Sequence, residues 1–145
     1  MSLHAGAALR RGIPLVLILL VGGVVWWKPW VPAPVTAVSL PCPDLVAGCS
    51  TRLGGETVRV RVEGGIKPLE PFQVWVEAAG VRKVEASFTM EGMDMGFNLY
   101  TLRAAGEGVF QARVTLPVCV TGRRDWIMNL DLDGSVLAVP FVTDL

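Results

Sequence analysis

After residue 56 the apolar side chains of this chain fall on every second position. In "TVRVRVE" Val58, Val60 and Val62 alternate with Arg59, Arg61 and Glu63. The pattern recurs in "PFQVWVE" with Phe72, Val74 and Val76, and in "VEASFTM" with Val84, Ala86, Phe88 and Met90. A period of two sends successive side chains to opposite faces of an extended strand, so each segment carries one face that must be covered. "FNLYTLR", "FQARVTL" (Phe110, Ala112, Val114, Leu116), "WIMNLDL" (Trp126, Met128, Leu130) and "VLAVPFV" bring the number to seven. Gly54-Gly55, Gly64-Gly65, Gly80, Gly106, Gly108, Gly122 and Gly134 supply turn residues between the segments. No stretch of this region shows a helical period. The expectation is an all-β domain, an immunoglobulin-like β-sandwich of about seven strands.

The N-terminal region obeys a different rule. Residues 13–27, "IPLVLILLVGGVVWW", carry no charge and are preceded by Arg10 and Arg11. A cleavable signal peptide and a retained anchor both contain such a run. Trp26, Trp27 and Trp30 with Lys28 form the aromatic belt of a membrane–water interface and favour the anchor. Residues 13–30 as a helix would be about 27 Å long, enough to span with interfacial tryptophans. A cleavage context at Val35-Thr36-Ala37 lies beyond three prolines, far from the apolar core. "LVAGC", ending at Cys49, spells a lipoprotein-type box, but Pro43 and Asp44 stand where an apolar helix should precede it.

The expected layout is therefore a cytoplasmic tail (1–12), one transmembrane helix (13–30), a proline-rich stalk with a cysteine loop (31–50) and an exported β-sandwich (51–145). Arg10 and Arg11 outweigh Lys28, which keeps the tail inside. The protein reads as single-pass in the cytoplasmic (inner) membrane, its C-terminal domain on the periplasmic or extracytoplasmic side. Of thirteen basic residues, ten lie beyond Lys28 against thirteen acids, with no basic block, so nucleic acid is not an expected partner.

Cys42 and Cys49 enclose a short loop with Pro43 and Gly48. In an oxidising compartment a disulfide between them is the default, adding on the order of 2–3 kcal/mol. Cys119 is left over, either as a reactive or metal-bound thiol or as a small buried hydrophobe. The single histidine, His4, precedes the anchor, which excludes Ser-His and Cys-His chemistry and a histidine zinc site in the exported domain. No enzyme is expected. "NLDLDGS" alternates oxygen ligands like a calcium loop, but the twelfth position from Asn129 is Pro140 instead of a bidentate Glu. A tight hairpin at Asp133-Gly134 is the better reading.

"MEGMDMGF" holds Met90, Met93 and Met95, three of the five methionines. Met90 continues the Phe88 alternation and belongs to the core. Met93 and Met95 follow the break at Glu91-Gly92 and belong to a rim loop. Thioether and thiol donors select Cu(I), so Met93, Met95 and Cys119 would form a soft trigonal site if one end of the sandwich carries them all. Packing under a loop is the competing role for the methionines.

The segment "FTMEGMDMGFNLYTLRAAGEGVFQARVTLPVCVTGRRDWIMNLDL" resembles the YtkA/FixH-like exported domains. Its Met-rich stretch and the later Gly122…Trp126 are the most specific part, within a likeness covering about residues 57–142. The resemblance implies an immunoglobulin-like fold, one N-terminal membrane helix and a role in assembling copper-containing respiratory oxidases. Here Cys119 stands where the family has a second Met-containing segment, and the exported domain has no histidine. Two functions remain open. One is copper handling or oxidase assembly with Cu(I) on Met93, Met95 and Cys119; the other is a metal-free interaction module docking on a membrane protein complex.

The topology gives the first test. The chain should resist carbonate extraction from membranes while a C-terminal tag is digested by protease added from the exported side. A soluble mature form beginning near Val38 would overturn the anchor.

Overall fold

The computed structural model describes residues 36–93 and 98–144. The expected anchor at 13–30 and Met95 lie outside the described residues. Among the described residues the structure is all-β, ten strands in two five-stranded sheets, the arrangement of a β-sandwich. One sheet has the order β1 (Val38–Ser39), β10 (Ser135–Val142), β9 (Asp125–Leu132), β5 (Val84–Thr89), β6 (Leu99–Thr101). The other runs β2 (Cys49–Leu53), β3 (Glu56–Glu63), β4 (Pro71–Ala78), β8 (Val109–Thr115), β7 (Arg103–Gly106). All pairings are antiparallel except β1 with β10.

The alternation translates directly into the core. Val58, Val60 and Val62, Phe72, Val74 and Val76, Val84, Ala86 and Phe88, and Trp126, Met128 and Leu130 are all buried. Phe88 lies between the layers, edge-to-face with Phe72, Tyr100 and Phe141 at ring separations of 6.3, 5.9 and 6.3 Å. Asp133 and Gly134 take φ of 50° and 93° between the paired Leu132 and Ser135, the two-residue turn read from the sequence. The Asp131 and Asp133 carboxylates accept backbone N–H groups, from Gly134 and from Arg82 and Lys83. They close the hairpin end of the sandwich.

Ten strands replace the expected seven for two reasons. "FNLYTLR" does not form one strand: β6 pairs with β5, then the chain passes Leu102 and joins the other sheet as β7. Both phases of that segment contain an apolar residue, and the structure turns Asn98 and Leu102 inward while Leu99 stays 61% exposed. The remaining two strands come from the segment before residue 54. Val38 and Ser39 pair with Leu137 and Ala138, and Leu40, Cys42 and Leu45 are buried in the core. The folded unit thus begins before the residue 51 expected from the sequence, and the latter part of 31–50 is sandwich instead of stalk. Pro41 and Pro43 break the pairing with β10 after Leu40, and the chain crosses to the second sheet as β2. The Cys42–Cys49 disulfide fastens that crossover, as the loop length predicts.

Met90 is 2% exposed and belongs to the core. Met93 is 37% exposed. Replacing Met90 by alanine should lower stability by about 2–5 kcal/mol, and Met93→Ala by less than about 1 kcal/mol. Denaturant unfolding of the two variants checks this; equal losses would place Met93 in the core as well.

Candidate functional site

Of the metal ligands proposed from the sequence, the two described ones, Met93 and Cys119, sit on turns at one end of the sandwich. β5 runs toward it, and Met90 follows Thr89, whose register partner is Ile127. The peptide N–H of Met93 donates to the Met90 carbonyl at 3.0 Å, closing a four-residue turn. Gly92 has φ of 73° and Glu91 a negative φ, the combination of a type II turn. A glycine is required there because the third position of such a turn is left-handed. The sequence Glu91-Gly92 therefore both ends the strand and swings Met93 off the core face.

β9 begins at the same end, and the segment before it carries Cys119. The Gly122 N–H donates to the Cys119 carbonyl at 3.0 Å, forming a second tight turn. The turn holds Cys119 at 7% exposure while lifting Val120 to 99% and leaving Val118 at 54%. Cys119 is the free cysteine of the described residues. Its Sγ lies 3.0 Å from Thr121 Oγ1.

Arg123 connects the two turns. Its Nη1 donates to the Glu91 carbonyl at 3.1 Å, inside the methionine turn, while its Nε and Nη2 grip the two oxygens of Asp125. Planar guanidinium geometry suits such a fork. One side chain thereby fixes the Met90–Met93 turn against the loop that carries Cys119. Arg123 in turn holds the Asp125 carboxyl below the usual carboxylate range.

The same arrangement acts on the thiol. The hydrogen bond from the Thr121 hydroxyl lowers the Cys119 pKa first, then the Thr121 backbone N–H, with the Arg123 backbone and charge adding to the effect against the opposing cost of burial. Each of these stabilises the thiolate, the form that binds soft metals.

The structure brings the Met93 turn and the Cys119 loop together. Of the expected set, Met93 and Cys119 share this end, and Met95 falls outside the described residues. Among the described residues no three His, Cys, Asp or Glu side chains gather as a metal site. The candidate donors here are of a different kind, thioether and thiol. A cleft of about 580 Å³ reaches this end through Glu91 and Asp125; Trp126, Phe141, Asp44 and Asp144 also line it, and Met93 and Cys119 do not. No protein-family model matches the chain, and neither the curated proteins nor the solved structures contain a match to it.

Arg123 and Thr121 were not singled out in the sequence. "TGRRDW" looks like an ordinary charged loop, and no pattern in it shows that one of two adjacent arginines reaches back 32 positions to Glu91. Thr121 at two residues from Cys119 is a weak local signal, since a hydroxyl at that spacing in a turn can reach the thiol.

The first described strand starts at the opposite end: β1 is parallel to β10 and its Val38 pairs with Leu137, near the Asp133-Gly134 hairpin and away from Met93 and Cys119.

The thiol environment can be titrated. Thiolate absorbance of the oxidised protein, with Cys42–Cys49 intact, should develop at a midpoint below that of an unperturbed cysteine thiol measured under the same conditions. Thr121→Val should move that midpoint upward. A midpoint in the native protein at or above that of the unperturbed thiol would contradict the assigned hydrogen bond.

Proposed function

We propose that this protein is a membrane-anchored, extracytoplasmic accessory factor of the YtkA/FixH-like type, with an immunoglobulin-like domain that handles copper or serves assembly of a copper-containing respiratory oxidase. The observation that carries the reading is the joining of the Met93 turn to the Cys119 loop through Arg123. Two soft donors remote in sequence belong to neighbouring turns, on loops backed by a rigid double sheet. The environment of Cys119 favours thiolate, and Met93 is open to solvent without being part of the core.

The donor chemistry fits Cu(I). A thiolate and thioethers are the ligands a d¹⁰ monovalent soft cation prefers, and a histidine-free site is suited to that oxidation state over Cu(II). Met93, Met95 and Cys119 would hold the ion. The ion would supply transferable Cu(I), and the chain would supply the cradle: Thr121 holds the Cys119 sulfur, Gly92 turns Met93 outward, and Arg123 keeps the two loops in register.

Placement on exposed turns at one end of the sandwich supports presentation to a partner. The exposed Val118 and Val120 flank Cys119 and provide an apolar contact for a docking protein. Those valines are also what favours the second reading, a metal-free interaction module on a membrane complex.

Copper titration separates the two. With the disulfide intact and Cu(I) maintained by ascorbate against a chromogenic chelator, one equivalent should bind. Cys119→Ser, which removes one ligand of three, should weaken it by about tenfold or more, and Met93→Leu/Met95→Leu, which removes two, by more than that. Absence of competitive binding in the native protein, or equal binding in all variants, would end the copper reading and leave the docking module.

A further inference from the structure

The solvent face of the second sheet has a charge pattern that the linear sequence conceals. Arg103 on β7 is directly opposite Gln111 on β8, and Arg113, two residues along β8, is directly opposite Gln73 on β4. Arg103 and Arg113 are therefore diagonal neighbours on one face, about 7–8 Å apart at the backbone and within mutual reach of long side chains. These four side chains and Thr101 line a cleft of about 500 Å³, formed where the chain leaves β6 for β7. Among the described residues no carboxylate lines it.

The surrounding acids are turned to other work. The Glu63 carboxylate accepts the Trp75 indole N–H at 3.2 Å. Glu85 pairs with Lys83 at 2.9 Å and accepts the Thr101 hydroxyl. Among the described residues neither Arg103 nor Arg113 forms an ion pair. Two arginines are thus diagonal neighbours on one sheet face with, among the described residues, no ion-pair partner, an arrangement of like charges that an anion between them would relieve.

Donors surround the same space. Gln73 Nε2 donates to Gln111 Oε1 at 3.3 Å, which fixes both amides and leaves the Gln111 NH₂ free to donate. The Tyr100 hydroxyl, donating to the Thr115 carbonyl at 2.9 Å, stiffens the junction from behind. At the mouth stands Leu99, 61% exposed.

We propose that this cleft is an oxyanion site for the phosphate group of an organic phosphate, with Arg103 and Arg113 as paired cationic donors and Gln111 as a neutral one. A phosphate accepts several hydrogen bonds at once and matches the guanidinium fork. The exposed Leu99 gives the carbon portion of the ligand an apolar surface. A soluble phosphate ester and a phospholipid headgroup both present this chemistry. The site is independent of the copper reading, being assembled from the other sheet and its junction strand.

The experiment is calorimetry on the full-length protein in a neutral detergent, disulfide intact. Two probes are used, glycerol 3-phosphate and dihexanoyl phosphatidylglycerol, each against native protein and Arg103→Gln/Arg113→Gln. Binding of either probe that weakens as salt rises, and that falls by about tenfold or more in the double variant with an unchanged thermal midpoint, supports the site. Comparable binding of both probes assigns a soluble ester as sufficient; binding of the lipid alone assigns the headgroup. No binding of either probe at millimolar concentration, or binding unchanged in the double variant, overturns the proposal. If the double variant unfolds, the single variant Arg113→Gln, at a fully solvent-facing position, decides by the same criteria.

Discussion

Phe88 holds the two layers in one register. It projects from β5, in the interior of its sheet between β9 and β6, and meets Phe72 of the facing sheet edge-on, with Tyr100 and Phe141 completing the ring of contacts. Such pairs contribute roughly 0.5–1.5 kcal/mol each beyond the area they bury. Their larger effect is on phase. A one-residue slip of β5 would carry Phe88, Ala86 and Val84 to the solvent face together, so the burial of one residue dictates the orientation of the whole strand. Met90 is inside because Phe88 is inside. Met93 is outside because Gly92, with φ of 73°, turns the chain before the alternation can continue.

A sandwich has open sides as well as faces, and this one closes both by chain that changes sheet. On one side β1 gives way to β2 through the disulfide loop, with Leu40, Cys42 and Leu45 buried. On the other, β6 gives way to β7 through Leu102, 4% exposed. The edge of β10 beyond Leu40 would otherwise offer free backbone to a passing strand. Ala138 directs its carbonyl outward to the Leu40 N–H, so Pro140, two residues on, faces the same way and has no N–H to offer. The disulfide and the proline thus act on the same vulnerable edge.

How far this could be read in advance depends on which kind of information each part needs. Strands with one apolar phase, such as Val58–Val60–Val62, are legible because only one orientation buries them. "FNLYTLR" is not, since Leu99 and Leu102 belong to opposite phases and only the position of β5 decides between them. The described part of the expected 31–50 stalk departs from expectation for a related reason: prolines mark extended backbone without saying whether it is solvated or paired at a sheet edge. The disulfide was legible as a local pair, and Asp133-Gly134 as a hairpin turn, because each is written in adjacent residues. The Arg123 link to Glu91 and the pairing of Arg103 with Arg113 were not. Ten positions separate the latter two, and the hairpin between β7 and β8 is what brings them to one face. A count of charges that finds no basic run is blind to such clustering, because in strands neighbouring residues face opposite ways and same-face partners come from other strands.

These long-range placements also explain how one small domain can carry two chemically opposite surfaces. At the end of the sandwich a cleft is lined by four acidic residues, Glu91 of the methionine turn among them; at the junction of β6 and β7 a cleft with no lining carboxylate among the described residues holds two arginines. The domain's charge count, ten basic residues against thirteen acidic beyond Lys28, averages them away. The fold keeps them apart because each is assembled where chain leaves a strand: one at turns after β5 and before β9, the other at a crossover between sheets. In both places the backbone is committed by strands on either side, so side chains there are oriented by the core without being part of it. Thr121 beside Cys119 and the Gln73–Gln111 pair beside Arg113 follow the same logic. Each is a polar side chain pinned by a neighbour, and each leaves one ligating group free.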